Sequence, residues 1–474
     1  MSFGTQIFGA IISLIVTAFV VRCLLKRYQA QIILLVAGVV LLTCAVLLGA
    51  ESAQILPAKV KSTGWIGFDI FKFIERILST RVGGLGLIIM SAAGYATYMD
   101  KIGASKAMVF AFLKPLQSLK APYLLLALVF IVGAVLKIFI PSAAGLALLL
   151  MVTMFPIVVA LGASTAAAAA MVATCGGFDL GPASGPANVG ALNAGMDVTV
   201  YFVKYQLPVG IVGYITASIL HYFTQKYFDK KDKVGTVFGD GAGSEYDISS
   251  AQGKVDGAPI PPKFYILLPT IPLILLLVFS PYMLKQYKLD VVTAMIISFG
   301  VAFACEAIRH RKNLKEATTN AMSFFQGMSK LFSTAVLLIV AGETFAQGLT
   351  AIGTVDLLIS SAQNSGFGVT AMTIVMIVFI ATLSIVLGSG NAAFFAFAAL
   401  APKIAKDLSA SALYIVLPMQ MAAGMARMLS PISAVIVAVS TMAGCHPFEI
   451  VRRTAIPMIG SMITVTIASM ILNG

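Results

Sequence analysis

The sequence predicts an all-α polytopic membrane protein of two inverted-topology repeats, each with a broken helix and a re-entrant hairpin. Two observations support this prediction: the chain is too apolar for a soluble protein, and its halves carry matching interruptions of apolar segments. Apolar residues make up 59% of the 474 residues and charged residues 11%. A soluble domain has roughly a quarter of its residues charged, so much of this surface must face lipid.

Several stretches are long and apolar enough to cross the hydrocarbon layer, which needs about 20 helical residues. The clearest are residues 5–25, 31–50 and 265–283. The first has no basic start and no small-residue cleavage site, and a second span follows within a few residues. We therefore interpret it as a retained helix rather than a signal peptide.

The net charge of +13 is distributed at the ends of apolar segments rather than in basic runs with exposed aromatics. Two basic clusters each follow a predicted span: Lys226, Lys230, Lys231 and Lys233, then Arg309, Arg311, Lys312 and Lys315. This placement is typical of loops on the cytoplasmic face of a membrane. The predicted partner of this surface is a lipid bilayer and not nucleic acid.

The five cysteines stand singly, and the three histidines are far apart in sequence. Neither a disulfide framework nor a metal site has the spacing that it requires. We predict no cofactor, with Na⁺ or H⁺ left open as a coupling ion.

One polar segment divides the chain into nearly equal halves. Residues 227–262 are rich in Gly, Ser, Asp and Lys and cannot bury enough apolar area to offset the entropy of ordering. We predict a first membrane repeat over residues 1–226, a flexible cytoplasmic linker over 227–262 and a second membrane repeat over 263–474.

The halves are related by blocks at nearly constant separation. The matched pairs are Pro156 with Pro402 (402 − 156 = 246), Pro182 with Pro431 (431 − 182 = 249) and Ser79 with Ser333 (333 − 79 = 254). Both basic clusters should be cytoplasmic with two spans between them, which predicts opposite orientations for the two copies. Five basic residues of the first copy would then lie on the outer side: Lys59, Lys61, Lys72, Arg76 and Arg81.

The matched blocks interrupt the helical pattern. Residues 141–145 and 388–391 indicate breaks within membrane helices, and residues 181–186 and 429–433 indicate hairpin tips. Small residues also serve close helix packing, but paired interruptions in two repeats favour a transporter's substrate site. Half-helix N-termini there suit a small organic anion. The predicted substrate-binding residues are Ser142, Ser184, Asn188, Ser389, Gly390, Asn391, Arg427, Ser430 and Ser433.

Ionisable residues within apolar segments are costly and therefore functional candidates. Arg427 can grip a carboxylate with two N–H groups or anchor a hairpin through backbone carbonyls. Lys137 can add substrate charge, stand where a coupling cation would bind, or extend to the membrane interface. Asp179 and Glu343 can carry protons or pair with Lys137 or Arg427.

Enzymes and channels are the alternatives from other functional classes. The apolar segments contain no Ser-His or Cys-His pair at usable spacing and no metal-binding motif of an intramembrane hydrolase. Nothing resembles a selectivity filter or a nucleotide-binding loop. We therefore predict a carrier driven by gradients, and not an enzyme.

Five blocks are similar to one transporter family. They are SGNAAFFAF from Ser389, ARMLSPISAVIVAV from Ala426, FAQGLTAIG from Phe345, YMDKIGA from Tyr98 and SAAGLALLLMVTMFP from Ser142. These blocks resemble the DcuC family of anaerobic C4-dicarboxylate carriers, of the wider ion-transporter superfamily. The resemblance implies transport of succinate and fumarate across the bacterial inner membrane by efflux or exchange, an elevator-type movement and a homodimer. An ion-coupled carrier of another organic anion or an amino acid is the alternative, because Lys137, Asp179 and Glu343 supply charges of both signs.

Overall fold

Every regular element in the described part of the computed structural model is a helix. Ten helices in that part are long and apolar enough to cross a membrane. This confirms the prediction of an all-α polytopic membrane protein. The described ranges are residues 3–26, 28–57, 60–232, 261–280, 283–284, 286–287, 289–357 and 368–473.

The α-helices are numbered in chain order. Those of the first half are α1 (Phe3–Leu25), α2 (Ala30–Leu47), α3 (Ser52–Ile55), α4 (Ile66–Arg81), α5 (Leu87–Lys101), α6 (Ala104–Leu113), α7 (Pro122–Phe139), α8 (Ala143–Thr153), α9 (Phe155–Ala160), α10 (Thr165–Cys175), α11 (Gly185–Asn193), α12 (Val198–Val200) and α13 (Leu207–Lys231). Those of the second half are α14 (Ile271–Val278), α15 (Val291–Arg309), α16 (Leu314–Leu331), α17 (Leu337–Ala351), α18 (Val369–Leu387), α19 (Gly390–Phe397), α20 (Ala401–Asp407), α21 (Ala412–Ala426), α22 (Ala434–Ala443) and α23 (Pro447–Asn473). Stretches of π-helix are Val82–Gly86, Tyr201–Gln206 and Phe332–Val336, and 3₁₀ stretches are Lys114–Ser118, Lys263–Thr270, Ala398–Leu400 and Arg427–Leu429.

The first two predicted spans are the helices α1 and α2, but the third is wrong in extent. Residues 263–270 form a 3₁₀ stretch, and α14 ends at Val278. Pro269 lies inside the 3₁₀ stretch and Pro272 lies in the first turn of α14. Because proline has no backbone N–H, the two rings prevent one continuous α-helix over the predicted span.

The two halves share an order of elements. In each half, five residues of π-helix join two α-helices into one long helix. They are Val82–Gly86 between α4 and α5, and Phe332–Val336 between α16 and α17 (332 − 82 = 250). The helices after these interruptions, α5 and α17, both have 15 residues. With this offset of 250, Ser79 is equivalent to Ser329. The sequence analysis matched it to Ser333 instead, one helical turn further along the chain. The opposite orientation of the halves in the membrane stays a prediction.

The first break in each half is the tip of a helical hairpin. A Cβ on Gly133 of α7 would lie 3.2 Å from Cδ1 of Leu150 on α8. The rings of Phe379 on α18 and Phe397 on α19 have centroids 4.9 Å apart. In both pairs the two residues are about equally far from the break, so the legs run antiparallel. The prediction of a helix break here is therefore wrong, and the chain reverses instead.

The second break in each half separates two pieces that pack on different partners. The helix α10 packs on α7 and α23, whereas α11 packs on α21 and α5. Likewise α21 packs on α18 and α23, and α22 packs on α8 and α10. These segments, residues 176–184 and 427–433, are interruptions between helix pieces rather than hairpin tips as predicted. Each half still contains one hairpin and one broken helix, with their order exchanged.

The predicted linker begins later than expected. The helix α13 continues to Lys231, so residues 227–231 are helical rather than part of the linker. The ring of Phe228 lies under the guanidinium groups of Arg452 and Arg453 of α23, 4.6 and 5.5 Å from their carbons. These contacts extend the helix beyond the apolar stretch. Residues 233–260 of the predicted linker lie outside the described residues.

Two hydrophobic cores fill the molecule. One is built mainly from α5, α7, α8, α10, α13, α15 and α23. The other is built mainly from α1, α2 and α17 to α20. The helix α21 contributes to both, with Met421 in the first core and Met419 in the second. The irregular segments of the two halves therefore meet along α21, between the cores.

Candidate functional site

Three charged side chains form a buried cluster between the halves. Lys137 Nζ lies 3.0 Å from Asp179 Oδ1, and an Nη of Arg427 lies 3.2 Å from the same oxygen. The three residues are 1%, 5% and 9% exposed. Burial of an ion costs several kcal/mol even after relaxation, so a buried cluster of two cations and one anion among apolar helices indicates a function.

Each member of the cluster stands at an irregular segment. Lys137 lies in the last turn of α7, just before the first hairpin tip, and also donates to the carbonyl of Pro141 at 2.7 Å. Asp179 lies in the break after α10. Arg427 directly follows α21 and donates to the carbonyl of Gly176 at the end of α10. The cluster therefore joins three of the four interruptions, and Lys137 does not extend to the membrane interface.

Two buried glutamines hold the backbone of Asp179. Gln206 Nε2 and Gln420 Nε2 donate to its carbonyl at 3.1 and 2.9 Å. Gln206 also donates to Gln420 Oε1 at 2.8 Å and accepts from the backbone N–H of Gly181 at 2.9 Å. The sequence analysis missed both residues. The sequence feature that could have revealed them is a polar amide side chain within an apolar stretch. The structure adds that Gln206 ends a π-helix, an element frequent at functional sites.

The serines at the two hairpin tips cap the helices that begin there. Ser142 Oγ accepts from the N–H of Gly145 at 3.0 Å, and Ser389 Oγ accepts from the N–H of Ala392 at 3.2 Å. Each hydroxyl thus satisfies one free N–H at the start of α8 or α19. Both therefore have a structural task in this conformation, besides the predicted contact with substrate.

Four predicted residues carry buried polar atoms that have no partner. Within the described part of the chain, seven buried side-chain polar atoms lack a hydrogen bond, and four of them belong to the predicted substrate-binding set. These four are Ser184 Oγ, Asn391 Oδ1, Arg427 Nε and Ser430 Oγ. Because buried polar groups are normally satisfied, these four atoms are candidates for contacts with a polar ligand.

Asn188 is already hydrogen-bonded within the first broken-helix loop, and Ser433 lies beside the second. Asn188 Nδ2 donates to the carbonyls of Pro182 and Ser184 at 2.7 and 2.8 Å and so stabilises the first broken-helix loop. Ser433 stands at the N-cap of α22 without a side-chain cap and is 2% exposed.

The interruptions approach so closely that only glycine fits at two points. A Cβ on Gly390 would lie 2.2 Å from the carbonyl oxygen of Ala423. A Cβ on Gly424 would lie 2.4 Å from the carbonyl oxygen of Gly177 and 3.2 Å from Asp179 Oδ2. The second hairpin tip therefore lies directly against α21, and α21 lies directly against the break that carries Asp179. Gly390 acts through this packing.

Gly424→Ala is expected to lower both the melting temperature and transport, because a methyl group cannot fit against Gly177. Overpacking typically costs about 1–3 kcal/mol. Gly300→Ala is the matched control, since nothing lies within 4 Å of a Cβ at this helical position. Thermal unfolding in detergent measures both variants, and equal melting temperatures would contradict the close approach described here.

Glu343 does not join the cluster. Its Oε1 accepts from Nε of Arg81 at 2.7 Å, so the predicted pairing with Lys137 or Arg427 is wrong for this residue. The pair links α4 of the first half with α17 of the second. Among the described residues, no three His, Cys, Asp or Glu side chains lie close enough to hold one metal ion.

A second buried polar cluster lies at the other end of α10. Arg453 Nη1 lies 2.7 Å from Asp229 Oδ1, and the N–H of Ser164 donates to Asp229 Oδ2 at 3.0 Å. At the C-terminal end of the same helix, His221 Nε2 lies 2.8 Å from the hydroxyl of Thr174. These contacts fix both ends of α10 against α13 and α23. The sequence analysis missed this cluster. The sequence feature that could have revealed it is an arginine and an aspartate near the ends of apolar helices.

Comparison with known proteins gives both sequence and fold relatives. Residues 8–473 match the family described as DcuC, C4-dicarboxylate anaerobic carrier. The chain is 35% identical over 462 residues to a Vibrio cholerae protein named "Probable anaerobic C4-dicarboxylate transporter DcuC", covering 98% of this chain and 97% of that protein. It is 34% identical over 459 residues to the Escherichia coli K12 "Anaerobic C4-dicarboxylate transporter DcuC", covering 97% and 95%.

The chain shares its fold with the solved structure of another protein. Neisseria gonorrhoeae MtrF, reported as illuminating a class of antimetabolite efflux pumps, is similar with a TM-score of 0.63 and 14% identity. The similarity covers 94% of this chain and 96% of that one. Identity at this level shows the fold alone. The sequence relatives are named as transporters, in agreement with the prediction that the chain is not an enzyme.

Proposed function

The chain belongs to the DcuC family of C4-dicarboxylate anaerobic carriers, a family of transporters, and we propose that it is a secondary active transporter of C4-dicarboxylates such as succinate and fumarate. It is a multi-pass protein of the bacterial inner membrane. The observation that carries the proposal is the buried cluster of two cations and one anion at the helix interruptions. A dicarboxylate matches a site in which two fixed cations outnumber one carboxylate.

In this proposal Arg427 takes one substrate carboxylate through its Nε, which has no partner within the described chain. One Nη keeps its contacts with the carbonyl of Gly176 and with Asp179, so the guanidinium binds the substrate while it stays fixed in the site. The hydroxyls of Ser184 and Ser430 and the amide of Asn391 supply the uncharged contacts. Such polar contacts distinguish a dicarboxylate from an apolar anion, because a buried polar group without a partner is costly.

Movement and assembly are proposed from the family resemblance. We propose an elevator-type movement, in which the hairpins and broken helices shift together, and a homodimer. Cross-linking in native membranes tests the dimer, and recovery of monomers alone would contradict it.

Uptake of radiolabelled succinate into proteoliposomes is the direct test. Sodium and proton gradients are imposed separately, with internal dicarboxylate present or absent. Uptake that follows one gradient identifies the coupling ion, and uptake that needs internal substrate identifies exchange. Either result supports a dicarboxylate carrier. Absence of uptake in every arrangement, with protein that is folded and monodisperse, contradicts the proposal.

A carrier of an amino acid or another organic anion is the second candidate. It is favoured by Asp179, because a zwitterion needs an anionic as well as a cationic partner. Thermal shifts with a panel of succinate, fumarate, citrate and amino acids separate the two candidates. Stabilisation by succinate and fumarate but not by amino acids counts against the second.

A further inference from the structure

Lys137 occupies an unusual position for a membrane lysine. It is 1% exposed, and its ammonium group meets one backbone oxygen, of Pro141 at 2.7 Å, and one carboxylate oxygen, of Asp179 at 3.0 Å. Both oxygens belong to interruptions, the first hairpin tip and the first broken-helix loop. The ammonium group therefore holds these two segments together.

This oxygen set is the kind that binds a coupling cation. In transporters, unwound backbone carbonyls and the C-terminal ends of half-helices coordinate Na⁺, and hard cations take carbonyl and carboxylate oxygens. The carbonyl of Pro141 follows the C-terminal end of α7, and Asp179 follows the C-terminal end of α10, so both lie where helix dipoles are negative. We propose that the Lys137 ammonium replaces a coupling cation, so that this carrier works without Na⁺.

The second half supplies its positive charge in the same way. Arg427 donates to the carbonyl of Gly176 at the C-terminal end of α10 and to Asp179. With Lys137 and Arg427 fixed against one carboxylate, the cluster carries a net charge of +1 before substrate enters. A mobile cation at Pro141 and Asp179 would duplicate a charge that the chain already holds. The inference rests on the proposed function, because it names the ion dependence of the same site.

The alternative is that Lys137 only neutralises Asp179. A simple counter-ion needs no second oxygen at a helix tip, and its loss would not create a cation site. The two ideas predict different results for variants with a shortened or an uncharged side chain. Lys137→Ala leaves the oxygens of Pro141 and Asp179 facing an opened space, whereas Lys137→Met removes the charge but keeps most of the side-chain volume.

The experiment compares succinate uptake in Na⁺ medium with uptake in choline medium. We expect the wild-type rate to be equal in both. Lys137→Ala should lose at least about tenfold in choline, because truncating one partner of a buried charge pair leaves the other charge unpaired, and should recover with a saturable dependence on Na⁺. Lys137→Met should stay inactive in both media. Lys330→Ala, which removes an exposed lysine, should behave as wild type.

Three results would overturn the inference. They are wild-type uptake that requires Na⁺, Lys137→Ala uptake that is the same in both media, and recovery of Lys137→Met by Na⁺ to the same degree as Lys137→Ala. The wild-type comparison needs no variant, so it can overturn the inference even if Lys137→Ala does not fold.

A binding measurement separates this inference from the proposed function. NaCl, compared with choline chloride, should raise the melting temperature of Lys137→Ala and leave that of the wild type unchanged. This readout needs no substrate. If the wild type transports no dicarboxylate in any medium, the proposed function fails, and the sodium-dependent thermal shift still tests the role of Lys137.

Discussion

Arg427→Ala is expected to abolish dicarboxylate uptake, with a loss of about a hundredfold or more. Truncation of a buried, hydrogen-bonded charge typically costs 2–5 kcal/mol or more, and here it removes contacts with Asp179 and the carbonyl of Gly176. It also removes the group proposed to hold a substrate carboxylate. Uptake of labelled succinate into proteoliposomes measures the loss.

Two further variants show what the guanidinium does. Arg427→Lys keeps the charge but not the planar set of donors, so we expect it to recover only part of the uptake. Arg76→Ala, at an exposed position on α4, controls for the loss of one arginine. If Arg427→Ala inserts, stays monodisperse and transports at the wild-type rate, Arg427 is not part of the site.

Asp179→Asn is expected to cause the largest loss of stability of any single change in the cluster. The amide keeps the shape of the side chain but removes its charge, so Lys137 and Arg427 remain as two buried cations without a counter-ion. Breaking a buried ion pair by changing one partner costs about 3–5 kcal/mol. The melting temperature in detergent should fall accordingly, and transport should be lost with it.

The double variant Lys137→Met with Asp179→Asn distinguishes charge from shape. It leaves a single buried cation instead of two, so it should melt at a higher temperature than Asp179→Asn alone. Asp356→Asn is the control, because Asp356 pairs with Lys403 at the half-exposed surface, where ion pairs contribute about 0–1 kcal/mol. A double variant less stable than Asp179→Asn would contradict repulsion between the two cations as the cause.

The sequence by itself determined the class of protein and the positions of its interruptions. Composition excludes a soluble protein, because the charged residues are too few for a surface that faces water on all sides. The breaks at residues 141–145 and 388–391 were predictable because proline, glycine and serine change backbone preferences within a few residues. The nine candidate residues were chosen for the same reason, since each stands in or beside such a break, and their role in binding substrate stays a prediction. Arg427 stood out because arginine is rare in an apolar stretch.

Tertiary structure decided how the interruptions are used. Proline and glycine stop a helix but do not set the direction of the chain afterwards, so the hairpins and the broken helices were exchanged in the prediction. Lys137 and Arg427 lie 42 and 248 positions from Asp179, and only the packing of α7, α10 and α21 brings them to one carboxylate. For the same reason Glu343 meets Arg81, 262 positions away, rather than the cluster. Local preferences act over a few residues, whereas ion pairing depends on which helix ends the folded cores bring together.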